Sequence, residues 1–134
     1  MITRFHDLLQ LDSIKHILLI ALTGLFLLTT YLMLIELPPK KMGWPHWDKV
    51  QHMLVFLMLT GLALCLYFKQ RWQWAIALFV YGGLIEWMQA TLTITRMASL
   101  GDWAADFVGI LIALAASIAM NNLRLKNTIA LGAN

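Results

Sequence analysis

Residues 17 to 35 form an unbroken run of 19 residues without one charged side chain. As a helix rising 1.5 Å per residue, such a run is about 30 Å long, the thickness of a bilayer's hydrocarbon core. In lipid there is no water to satisfy backbone N–H and C=O groups, so a helix, which pairs them within itself, is the natural way across. The run is too long for the apolar part of a signal peptide, and no small-residue cleavage site follows it. A retained span is therefore expected.

The remainder of the chain has the same character. Of its 134 residues, 60% are hydrophobic and 13% charged, with a mean hydropathy of +0.72. A soluble domain of this length could not cover its apolar surface with so few charges. Three further apolar segments cover about 48–68, 72–90 and 102–120, and the first extends to about 14–36. The connection "ELPPKKMGWPHW" holds all three prolines and a glycine, which break helices; "KQR" is a tight hairpin, and "TLTITRMASLG" joins the last two segments. The predicted fold is all-α: one domain over 1–134, a polytopic membrane protein built as a four-transmembrane-helix bundle. Residues 1–16 suit either an amphipathic surface helix or an extension of the first span.

Charge placement sets the orientation. Arg4, Lys15, Lys69, Arg71, Arg124 and Lys126 fall on one side, and Lys40, Lys41, Lys49 and Arg96 on the other. The excess of cations on the first side predicts cytoplasmic N and C termini. Trp72 and Trp74 then mark the inner boundary, and Trp44, Trp47, Trp87 and Trp103 the outer one. The net charge of +3 is scattered, which speaks against a nucleic-acid partner. Cys65 is the single cysteine, so no disulfide forms within the chain, and it reads as a small packing residue.

Against this apolar background, titratable groups gather at one level. Asp48, Lys49 and His52 stand at the outer end of the second segment, in "HWDKVQHMLVF". Glu86 and Gln89 share a face of the third, three residues apart, and Asp102 and Asp106 share a face of the fourth, four apart. Glu86 lies about 20 Å along its helix from Trp72, well inside the hydrocarbon core. An unpaired carboxylate there costs on the order of 2–3 kcal/mol, so the side chain is expected to face the bundle interior. Ala105, Gly109 and Ala113 form a small-xxx-small series that lets a neighbouring helix come close. Arg96, in the loop, is within reach of either carboxylate cluster. Four acids against Lys49 and Arg96 leave a surplus of negative charge that a proton, a protonated His52 or a cationic ligand would offset.

Plainer roles compete with a site. Asp48 or Asp102 suits a helix N-cap, Lys49 can snorkel to the surface, and His52 can be a hydrogen-bonded packing residue. Glu86 and Asp106 lie away from helix ends and resist that explanation. No nucleophile motif or phosphate-binding glycine loop is present, and Ser99 reads as an ordinary loop residue. A metal on His52, Glu86, Asp102 and Asp106 lacks any H-x-x-x-H or H-E-x-x-H spacing, so no metal or other cofactor is expected. Four helices without an internal repeat leave little for alternating access by a lone chain, so transport would need a homo-oligomer.

At these positions the sequence resembles the VanZ-like family, named for an accessory protein of teicoplanin resistance. The likeness runs over about residues 25–118 and rests on "DKVQH", "GGLIEWMQ" and "RMASLGDWAADFVG". Where that family often has Asn, this chain has Asp106, which adds a charge. The resemblance implies a small polytopic protein of the bacterial cytoplasmic membrane, with its polar motifs near the outer side and a link to teicoplanin-type resistance. Together with the residues, it gives the leading expectation. An outward-facing pocket of Asp48, Lys49, His52, Glu86, Gln89, Arg96, Asp102 and Asp106 binds the head group of an envelope lipid or lipid-linked precursor. A membrane-embedded hydrolase or transferase, and a scaffold with a buried polar network, are the alternatives; whether bonds are made or broken stays open.

Overall fold

The apolar segments become four α-helices in a computed structural model, which describes the backbone of residues 2–35, 46–94 and 97–132 and the side chains of 12–35, 46–94 and 97–129. They are α1 (Ile2–Leu34), α2 (Trp47–Tyr67), α3 (Arg71–Leu92) and α4 (Leu100–Gly132); a 3-10 turn, Phe68–Gln70, links α2 to α3. No strand occurs among the described residues. Three continuous helical stretches are long and apolar enough to cross a membrane: Asp12–Leu34, Trp47–Leu92 and Leu100–Ile129. The middle one contains both α2 and α3.

Two helices exceed their predicted spans. α1 and α4 have 33 residues each, against predicted spans of 14–36 and 102–120. Neither 2–16 nor 121–131 contains Gly or Pro, so nothing in the sequence stops the backbone ladder at the lipid boundary; α4 ends where Gly132 stands. Residues 2–16 thus continue α1 without a break.

Ring contacts fix the directions. Phe56 of α2 lies 5.8 Å from Tyr81 of α3, centroid to centroid, and Tyr67 stacks on Trp74 at 5.4 Å. The chain therefore doubles back at the 3-10 turn. Phe79 meets Trp103 at 4.7 Å and Phe107 at 5.3 Å, while Glu86, farther along α3, meets Ser99 just before α4, so α4 runs antiparallel to α3. The Thr30 and Tyr81 hydroxyls hydrogen-bond at 2.8 Å, tying α1 to α3. α1 and α3 run one way, α2 and α4 the other.

The core lies along α2. Phe56, Leu59 and Ala63 are fully buried there, against Leu78 and Ile85 of α3 and Ile110 of α4. α2 packs most extensively on α4. The seam closes at Gly109, where an added Cβ would run into the Met53 carbonyl and the Leu57 nitrogen of α2. In lipid, helices gain little from hiding apolar surface and associate by close packing, which a glycine at this point makes available. The outside is apolar instead: Ile20, Leu27, Ile76 and Ile112 all point outward, exposed.

Candidate functional site

The antiparallel order brings the C-terminal ends of α1 and α3 and the N-terminal ends of α2 and α4 to one end of the bundle. Most of the polar residues of the spans collect there, in three tiers. The outermost is an ion-pair chain. Lys49 Nζ donates to Asp102 Oδ1 at 2.8 Å and to Asp48 Oδ2 at 3.2 Å, bridging α2 to α4. Asp48 is open, with a side chain 58% exposed, whereas Asp102 keeps only 14%.

One turn deeper, His52 Nδ1 lies 3.0 Å from Asp106 Oδ1, both side chains buried. Asp106 is wholly enclosed. Its other oxygen, Oδ2, points at Gly82 of α3, where a Cβ would come within 2.8 Å of it. The first glycine of the "GGLIEWMQ" stretch thus leaves room for a carboxylate on the neighbouring helix. Gln89, also buried, takes no part in this pair; its Nε2 donates to the Met33 carbonyl at 2.8 Å and ties α3 to α1 near that helix's end.

The third tier joins α3 to the start of α4. The Ser99 backbone N–H donates to Glu86 Oε2 at 2.6 Å, while Ser99 Oγ accepts the Asp102 N–H at 3.2 Å. Ser99 is therefore the N-cap of α4, and a carboxylate from another helix satisfies its own N–H. Two carboxylate oxygens, Glu86 Oε1 and Asp106 Oδ2, are buried without a hydrogen-bond partner among the described residues. A buried polar atom left so costs about 1–3 kcal/mol, more when charged. A ring nitrogen of His52 and one oxygen each from Glu86 and Asp102 lie within 4.8 Å of one another.

An apolar groove leads to this cluster. It encloses about 380 Å³ between α1 and α2, walled by Leu25, Leu28, Thr29, Leu32 and Met33 on one side and Gln51, His52, Leu54 and Val55 on the other. Leu28, Leu32 and Leu54 remain exposed, so the groove opens to the outside of the bundle. Thr29 Oγ1 is buried in it without a partner among the described residues.

Of the eight predicted site residues, Asp48, Lys49, His52, Glu86, Asp102 and Asp106 come together, while Gln89 turns towards α1 and Arg96 lies outside the described residues. Two capping roles need correction. Asp48 is the second residue of α2; the N-cap position belongs to His46, which has a left-handed φ of 69° and makes no side-chain cap bond. Asp102 is the third residue of α4 and is capped rather than capping. Nor is Lys49 directed only to the surface, because Asp102 holds it across the helix pair. Ser99, read from the sequence as an ordinary loop residue, is instead the cap of α4 and a partner of Glu86. Its signal was present: Ser99 and Asp102 ahead of an apolar run match the S-x-x-D/E start of a helix. No family model, no curated protein and no solved structure matches this chain.

Proposed function

We propose that this protein is a four-helix, multi-pass membrane protein that binds a membrane amphiphile, its tail in the α1–α2 groove and its head group at the polar end. The observation that carries this is the continuity between the two: the apolar groove ends at His52, where the buried polar cluster begins. Ligand sites of this kind are mostly apolar, with a few convergent polar groups that fix orientation. The unpartnered Thr29 hydroxyl and Glu86 oxygen are the groups a polar head would satisfy. Lys49 and the carboxylates would contact an envelope lipid or a lipid-linked cell-wall precursor. The motif resemblance to VanZ-like proteins supports placing this activity at the outer face of a bacterial cytoplasmic membrane, with both termini inside. It also connects the protein with teicoplanin-type susceptibility or with envelope maintenance.

Native mass spectrometry of the protein, released gently from its own membrane, tests this. The wild type should carry a discrete lipid adduct that disappears in Leu28→Trp, which fills the groove from its α1 wall and leaves the cluster's own side chains unchanged. Bare wild-type protein, or an adduct unchanged in Leu28→Trp, would refute the groove as a binding site. A second reading, a membrane-embedded enzyme, is favoured by one specific observation, the approach of His52 to Glu86 and Asp102. In such an enzyme these groups would serve as general base or would activate water.

A further inference from the structure

We propose that His52, Glu86 and Asp102 form a binding site for one divalent transition-metal ion, of the zinc or manganese class. This goes beyond amphiphile binding in the groove, and it stands if that reading falls. Three observations converge on it. The first is geometric: three ligand-type atoms from three different helices stand within 4.8 Å of one another. Ligand atoms bound tetrahedrally to a shared ion at about 2.0–2.2 Å lie ~3.4 Å apart, so side-chain rotations that draw the three together complete the grip. A mixed set of one imidazole and two carboxylates suits zinc or manganese better than a soft, thiolate-seeking ion.

The second observation is an oxygen without a partner. Glu86 is 6% exposed and its Oε2 takes the Ser99 N–H, yet Oε1 is buried with no partner among the described residues. With only one of its oxygens bonded, Glu86 keeps the other available to a ligand from outside the chain. The third is the arrangement behind His52. Its Nδ1 is held at 3.0 Å by Asp106, which leaves Nε2 to carry the lone pair that binds metal. A carboxylate on the far ring nitrogen is the usual partner of a metal-bound histidine; it fixes the tautomer and raises basicity. Asp106 is thus a positioning residue.

Charge and access agree. Among the described residues, Asp48, Glu86, Asp102 and Asp106 against Lys49 leave a formal excess of three negative charges, two of which a divalent ion would offset. Lys49 bonds Oδ1 of Asp102, its second oxygen has no hydrogen bond among the described residues, and the 14% exposure of that side chain gives an entry path. Three protein ligands leave a position on the ion for water or for an anionic oxygen.

The test is equilibrium dialysis of the full chain in detergent, stripped with chelator and then offered ZnCl2 or MnCl2, with bound metal counted per chain. Wild type should retain one ion. Asp102→Asn, Glu86→Gln and His52→Gln should each lower retention, and Asp106→Asn should lower affinity about tenfold to a hundredfold. Helix content by circular dichroism is read on every sample. Because Glu86 and His52 are buried, Asp102→Asn, at the least buried of the three ligands, decides the matter if those two lose fold. Leu28→Trp should keep its ion, which separates this site from the groove. Folded wild type that retains no stoichiometric metal overturns the proposal, and so does retention unchanged in Asp102→Asn.

Discussion

At the scale of single residues, the polar end is a set of pairs whose members fail separately. His52 and Asp106 are each buried and bonded to the other at 3.0 Å. Removing one leaves its partner unsatisfied in a medium without water, at a cost of about 1–3 kcal/mol. Replacing both by apolar residues removes that penalty. Thermal unfolding in detergent of His52→Phe, Asp106→Leu and the double variant should therefore show the double losing less than the sum of the singles. Strict additivity would mean that the two do not act as a pair. Ser99→Ala deletes the hydroxyl that caps α4 but leaves its N–H on Glu86. It should cost about 1 kcal/mol, read as a lowered Tm, with metal retention intact.

Between elements, glycines decide how closely helices approach, and their surroundings predict opposite outcomes. At Gly109 a Cβ would meet the backbone of α2, which cannot move aside as a flexible side chain can. Gly109→Ala should force α2 and α4 apart and destabilise the protein by about 1–3 kcal/mol or more. Gly24 and Gly61 have nothing within 4 Å of an added Cβ. Alanine there should be neutral or stabilising by up to about 1 kcal/mol, because it stiffens the unfolded chain and favours helix. Tm values for the three alanine variants check this; equal losses in all three would contradict the close α2–α4 seam.

For the molecule as a whole, helix lengths are unequal. α2 and α3, at 21 and 22 residues, are about 32 Å long, whereas α1 and α4, at 33 residues, reach about 50 Å. At the polar end all four helices finish near one level, so the surplus of α1 and α4 projects from the opposite end, where Arg124 and Lys126 stand. In the proposed orientation, with both termini cytoplasmic, that projection would lie inside the cell and the polar end outside. Labelling of intact cells with a membrane-impermeant maleimide tests the orientation in a Cys65→Ala background. Trp47→Cys should react and Thr128→Cys should stay protected until the cells are opened. The reverse pattern would turn the site to the cytoplasm and remove it from the outer-face lipids proposed as its ligands.

What the sequence by itself determined is whatever depends on neighbours along the chain. Apolar runs of membrane-spanning length, with prolines at 38, 39 and 45 between the first two, specify helices, their order and the shared end at which Asp48, His52, Glu86 and Asp102 lie. Rise per residue and hydropathy are local, so they can be read locally. The start of α4 was legible in this way, although its cap is Ser99 and not Asp102. Partner choice was not. Lys49 with Asp102, His52 with Asp106 and Glu86 with the Ser99 N–H join residues 53, 54 and 13 positions apart. Such pairs depend on how far each helix is rotated about its axis and how closely it packs. Those quantities are set by the Gly109 seam and the Gly82 notch acting across helices. Only the packed bundle could decide them, because a few tens of degrees of rotation would carry Glu86 from the interior to lipid.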